Sequence, residues 1–161
     1  MNLAVPKLRA EKCFVELNPA RLEGEERRAS TIKGAFQLGR LVGLEEMREV
    51  DLIVAGSVAV NEEGGRIGKG GGFSDLEYAL GREAGIIREA TPVLITVHPL
   101  QILSEEIEME VHDIPVDFII TPERVIATHH QLKRPEGIVW EILKEEMIQS
   151  MPVLKRLRNS G

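Results

Sequence analysis

The residues from Gly64 to Asp75 read GGRIGKGGGFSD, with six glycines in the first nine positions and Arg66 and Lys69 among them. Glycine loses more conformational freedom on folding than any other residue, so such a run weakens a fold unless something requires it. One requirement is an anion. Glycines let backbone N–H groups approach phosphate oxygens closely, and a helix that starts directly afterwards adds the positive end of its dipole. In that chemistry Arg66 grips phosphate oxygens with a planar fork, and Lys69 supplies a point charge. Asp75 has the opposite sign and does not belong against bare phosphate. It suits a magnesium ion that bridges phosphates. A glycine-rich hairpin or a flexible surface turn with no ligand is the alternative. Two common patterns do not fit. The P-loop needs a glycine where Glu63 stands and Ser or Thr where Gly70 stands, and the dinucleotide fingerprint needs a glycine where Phe73 stands. The residues therefore specify an anion site of undetermined kind, or a bare turn.

The elements around this stretch decide where it could sit. Asp51–Ala55 (DLIVA) is a continuous apolar run, predicted to be a strand buried on both faces, with Val58–Val60 after it. Ser74-Asp75 are predicted to cap a helix over Leu76–Ala84 that Gly85 ends. The unit is thus strand, turn, glycine loop, helix, and open α/β sheets bind ligands at the carboxyl ends of their strands. Further strands are predicted at Leu3–Val5 and Cys13–Leu17, either side of a Pro6-Lys7 turn, and at Pro92–Val97, Asp117–Ile120 and Arg124–Ala127. Helices are predicted over Ser30–Arg40, capped by Ser30, and over Trp140–Gln149, where Trp140, Leu143 and Met147 share a face. Strands alternating with helices predict a parallel α/β sheet covered on both faces.

The chain of 161 residues is expected to form a single domain over 1–161, with 43% hydrophobic and 29% charged residues and no linker or repeat. A net charge of −6 argues against a general nucleic-acid or membrane-surface binder. Cys13 is the single cysteine, which excludes an internal disulfide and a cysteine-rich zinc site. There is no apolar run of membrane-spanning length and no signal-peptide pattern, so a cytoplasmic protein is expected. Abundant Glu, Lys, Arg and Ile with few Asn and Gln lean towards a thermophile.

The glycine stretch also resembles the nucleotide-phosphate loop of the 5-formyltetrahydrofolate cyclo-ligase (methenyltetrahydrofolate synthetase) family, whose pattern runs roughly Gly-x-Arg-Leu-Gly-x-Gly-x-Gly-Tyr-Tyr-Asp. The resemblance extends to Asp51–Gly56, Val5-Pro6-Lys7-Leu8-Arg9, Gln101, His112-Asp113, Val116-Asp117 and Thr121. The pieces GSVAV, RIGKGGGFSDLEYA, HDIPVDFIITPERVIAT and GIVW are closer still to the branch of methenyltetrahydrofolate synthetase domain-containing proteins and archaeal relatives. It implies a three-layer α/β/α sandwich of the NagB/RpiA/CoA-transferase type with a mostly parallel sheet. It implies that ATP phosphorylates the formyl oxygen of 5-formyltetrahydrofolate and that the neighbouring nitrogen closes the ring, releasing phosphate and leaving 5,10-methenyltetrahydrofolate and ADP. By the same resemblance Arg66, Lys69 and the amides of Gly65, Gly68, Gly70, Gly71 and Gly72, continuing into Phe73 and Ser74, hold ATP phosphates. Asp75 holds Mg2+, and Pro6, Lys7, His98 and Gln101 are candidates for the folate side.

The sequence departs from the family at Ser74, where a second Tyr is usual, and at Leu100, where an acid is frequent. The family also carries a helical segment with basic residues ahead of the strand in which this sequence begins. The expectation is either an incomplete chain or a branch without the ligase reaction. Three readings follow: an ATP-dependent cyclo-ligase, a non-catalytic nucleotide- or phosphate-binding module of the same fold, and an enzyme of another class taking a small phosphorylated ligand. An apolar flank left open by a missing segment predicts a homo-oligomer. Among other residues, His98 reads as structural or as a ligand contact. His112-Asp113 reads as an acid–base pair, or Asp113 as a turn former. Adjacent His129 and His130 point apart on an extended chain, which argues against a metal pair.

Overall fold

The computed structural model describes residues 3–6 and 8–160, and they gather into two compact units. The first takes in the described residues up to Met47 and again from Trp140; the second is Arg48–Val139.

In the first unit β1 (Leu3–Pro6), β2 (Phe14–Leu17) and β3 (Arg40–Val42) form an antiparallel sheet in that order. The predicted strand from Cys13 starts one residue later; Cys13 itself is fully buried, and that burial pushes its thiol pKa up. Between β2 and β3 lie α1 (Glu26–Ala29) and α2 (Ile32–Leu38). The helix predicted from Ser30 begins after Thr31 instead, because the Thr31 hydroxyl accepts from Gly34 N–H at 3.0 Å. It stops at Leu38, since Gly39 is extended and Arg40 already belongs to β3. Leu17, Leu22, Ala29 and Ala35 form a buried cluster between sheet and helices.

The second unit carries the glycine stretch. Its strands are β4 (Ile53–Ala55), β5 (Ala59–Asn61), β6 (Arg66–Ile67), β7 (Val93–Thr96), β8 (Ile102–Leu103), β9 (Phe118–Ile120) and β10 (Val125–Ala127), with α3 (Phe73–Glu83) between β6 and β7. One sheet runs β10-β9-β7-β4; β4, β7 and β9 are parallel and β10 is antiparallel to β9. A smaller sheet runs β6-β5-β8, with β5 parallel to β8 and antiparallel to β6. The architecture is therefore α/β with mixed sheets. Val60, Ile95, Val97, Val116 and Ile119 form its buried core. The predicted two-sided burial of Asp51–Ala55 does not hold. Ala55 is buried, but Val54 is 61% exposed, because β4 is the edge strand and Val54 points away from the core.

The chain then returns to the first unit through α4 (Glu145–Ser150) and α5 (Pro152–Ser160). The single helix predicted over Trp140–Gln149 is in fact a 3-10 turn at Trp140–Ile142 followed by α4. Lys144 is extended and breaks the run, while Glu145 and Glu146 place negative charge in the first turn of α4. Met151 is extended too, as a residue before proline prefers, and Pro152 then opens α5.

Candidate functional site

Two hydrogen-bonded pieces fix the glycine loop at either end. On its N-terminal side, β5 and β6 form a hairpin closed by Asn61, which is 2% exposed. The Asn61 side chain accepts from Gly65 N–H at 2.8 Å and donates to the Glu105 carbonyl at 3.2 Å. Asn61 was not among the predicted site residues; an Asn near a run of glycines is too common to signal such a brace. The bond occupies the Gly65 amide, so Gly65 shapes the hairpin and presents no free donor.

On its C-terminal side the loop passes directly into α3. Gly72 occupies the cap position with φ 63° and Gly70 has φ 78°, the left-handed region that side chains disfavour. The predicted cap at Ser74-Asp75 is thereby corrected. The left-handed turn at Gly72 lets Leu76 N–H reach the Gly72 carbonyl at 3.0 Å, so Phe73, Ser74 and Asp75 form the first turn. The far end follows the sequence: Gly85 has φ 69°, and Ile86 N–H closes back onto the Gly81 carbonyl.

Between these ends, residues 67–73 are all exposed. Among the described residues the amides of Gly68, Gly70, Gly71 and Gly72 donate no hydrogen bond, and Lys69 has no ion-pair partner. The loop thus offers several unused N–H donors and one free ammonium ahead of an eleven-residue helix. Those are the requirements of an anion cradle.

Beneath the loop, Arg66 and Asp75 come together in a buried ion pair, with side chains 3% and 12% exposed. Arg66 Nη2 donates to Asp75 Oδ1. Its Nε donates to the Ile114 carbonyl at 3.1 Å and its Nη1 reaches the Gly56 carbonyl at 3.4 Å. Asp75 Oδ1 also accepts from Ile114 N–H at 3.1 Å. One guanidinium therefore ties together the end of β4, the start of α3 and the segment leading into β9. The two charges are paired, and removing either alone would leave the other buried and uncompensated, a loss of roughly 3–5 kcal/mol. Partly buried Glu77 lies close by. Burial first, then the negative charge of Asp75, pushes its carboxyl up to about 7, while Arg66 pulls it back.

The remaining predicted residues are placed as follows. His98 Nδ1 accepts from Leu100 N–H at 3.2 Å, and Gln101 Oε1 accepts from His98 N–H at 2.9 Å, so the two cap the 3-10 turn at Pro99–Gln101. Gln101 also donates to the Val58 carbonyl at 2.9 Å, linking that turn to the residue just before β5. Pro6 ends β1 in the other unit, and Lys7 lies outside the described residues. Asp113 accepts from Glu110 N–H at 2.8 Å, which is the turn-forming role. Asp117, a strand residue in the sequence reading, is a hub: it accepts from Val93 N–H at 2.7 Å, from Arg134 at 2.5 Å and lies 3.2 Å from His130 Nε2. A cleft of about 580 Å³ lies elsewhere in the unit, lined by Glu62, Glu63, Thr121, Glu123 and Arg124 among others and by none of the glycine-loop residues. Among the described residues no helix is long and apolar enough to cross a membrane, and no three His, Cys, Asp or Glu side chains converge as a metal cage.

A family model for the 5-formyltetrahydrofolate cyclo-ligase family matches residues 1–122, which include the glycine loop, Arg66, Asp75 and Gln101. The chain belongs to the 5-formyltetrahydrofolate cyclo-ligase family. A methenyltetrahydrofolate synthase domain-containing protein of Danio rerio is 46% identical over 130 residues, covering 80% of this chain and 34% of its own length. The corresponding protein of Homo sapiens is 44% identical over 133 residues, covering 82% and 35%. A 5-formyltetrahydrofolate cyclo-ligase of Mycolicibacterium smegmatis is 34% identical over 85 residues, covering 52% and 39%. The chain spans about a third of the length of these synthase domain-containing relatives.

Proposed function

We propose that the chain is an ATP-dependent ligase core that converts 5-formyltetrahydrofolate to 5,10-methenyltetrahydrofolate in the cytoplasm. The observation that carries the reading is the exposed loop with unused amides at Gly68 and Gly70–Gly72, leading into α3 in a chain of this family. In this reading those amides, the amides of Phe73 and Ser74, and Lys69 hold the triphosphate. Asp75 suits magnesium on its own chemistry: Oδ2 takes no hydrogen bond from the described residues, and a single carboxylate is enough for an ion that keeps its other oxygens from phosphates and water. Magnesium held there would supply charge neutralisation for the phosphates. Arg66 joins the phosphates once it leaves Asp75. The formyl oxygen attacks the γ-phosphorus, ADP departs, and the adjacent folate nitrogen then displaces phosphate as the ring closes. Such chemistry draws on positioning and charge stabilisation, which these residue types supply. His98 and Gln101 are the folate-side candidates. We place the mixed sheets in a three-layer α/β/α sandwich of the NagB/RpiA type.

A second reading is favoured by one observation. Arg66 and Asp75 satisfy each other, which suits a module that binds nucleotide without turnover. Absorbance of methenyltetrahydrofolate, with ATP, magnesium and 5-formyltetrahydrofolate supplied, separates the two. Turnover supports the ligase; calorimetric Mg-ATP binding without turnover supports the module; absence of both rejects each.

A further inference from the structure

Asp75 is only half open in the free protein, since Oδ2 takes no hydrogen bond from the described residues but Oδ1 is taken. Arg66 Nη2 occupies Oδ1, and the guanidinium is held there by two backbone carbonyls, those of Ile114 and Gly56. The pair is buried, so its charges act on each other through little water. A bare divalent cation arriving at Asp75 would meet a fixed positive group a few ångströms away and leave a net positive charge in a site with little solvent. A metal–nucleotide complex is different. It carries net negative charge, and its phosphate oxygens present the planar pair of acceptors that a guanidinium prefers. Arg66 can exchange one anionic partner for another, and Asp75 becomes free for the metal.

We infer that Arg66 is a specificity-determining residue that guards Asp75, excluding the free divalent cation and admitting it only as the metal–nucleotide complex, whose phosphates take Arg66 over. This rests on the nucleotide reading above. It makes metal and nucleotide binding mutually dependent: each lowers the cost of the other by resolving the same ion pair.

The test is calorimetric titration of the full chain with magnesium alone and with Mg-ATP, for the wild type, Arg66→Gln and Arg66→Gln/Asp75→Asn. Magnesium alone should bind Arg66→Gln at least tenfold more tightly than the wild type, and the gain should vanish in the double variant. Equal affinity in wild type and Arg66→Gln, or a gain that survives Asp75→Asn, overturns the inference. Arg66→Gln leaves a buried carboxylate without its cation and is exposed to misfolding, so a second measurement uses the wild type alone. The Arg66 Nε–H resonance reports its bond to the Ile114 carbonyl. It should stay in place with magnesium alone and move with Mg-ATP; equal displacement by both overturns the guard. A wild type that binds no Mg-ATP while the difference in free-magnesium affinity persists rejects the nucleotide reading and retains the guard against free cation.

Discussion

Replacing Glu77 by Gln should stabilise the metal-free protein at alkaline pH and change it little in acid. Glu77 lies in α3, two residues after Asp75, with its carboxyl pushed from an ordinary 4.5 up to about 7 by burial and then by the Asp75 charge. The folded state therefore keeps a proton that the unfolded chain releases. Glu77 contributes fully to stability below about pH 4.5, and that contribution is lost as pH rises through about 7. Holding the charge in place above pH 7 costs at most about 3 kcal/mol, the free-energy equivalent of that displacement. The side chain keeps some contact with solvent, which reduces the cost to about 1–2 kcal/mol. Gln preserves shape and removes the charge. Urea unfolding with a chelator present should show the variant more stable by about 1–2 kcal/mol at pH 8.5 and by no more than a few tenths at pH 4. In melting temperature that is about 2–8 °C at pH 8.5 for a chain of this size. A difference between variant and wild type that does not change with pH would refute the reasoning, and so would a variant less stable at pH 8.5.

Three other outcomes follow from the same site. Asp75→Ala should lose about 3–5 kcal/mol by urea unfolding because it strands the Arg66 guanidinium, and the double replacement Arg66→Met/Asp75→Leu should recover much of that loss. Gly72→Ala should cost about 1 kcal/mol or more through its left-handed backbone and should weaken Mg-ATP by displacing the start of α3, read by unfolding and calorimetry together. Lys69→Ala should leave stability within about 0.5 kcal/mol, since the side chain is exposed, yet weaken Mg-ATP roughly tenfold with a reduced dependence on salt.

Local signals made part of this structure readable. Gly85 and the apolar runs in Asp51–Ala55, Pro92–Val97 and Asp117–Ile120 announce a helix end and strands through their own backbone preferences, and the structure has them, the strands at Ile53–Ala55, Val93–Thr96 and Phe118–Ile120. The loop between strand and helix was visible for the same reason. Arg66 was legible as a cation among glycines, but its burial was not. Two of its partners, Asp75 and Gly56, lie nine and ten residues away, and Ile114 lies 48 away. No spacing rule encodes that meeting. Asp117 was readable as the start of a strand, while its hold on Val93, Arg134 and His130 depends on strand order and on a segment that folds back from beyond β10. At Lys144 the apolar periodicity carried across a break that the backbone makes, and α5 was not read, although Pro152 was a local sign of a new helix.

The central claim is that the glycine loop receives nucleotide phosphates. Backbone amide resonances followed through a titration with Mg-ATP test it most directly. The largest displacements should fall on Gly68, Lys69 and Gly70–Gly72, with smaller ones at Phe73 and Ser74 and none at Gly65, whose amide is already bonded to Asn61. Displacements centred on the cleft at Glu62, Glu123 and Arg124, or no displacement in the loop at saturating nucleotide, would contradict the account.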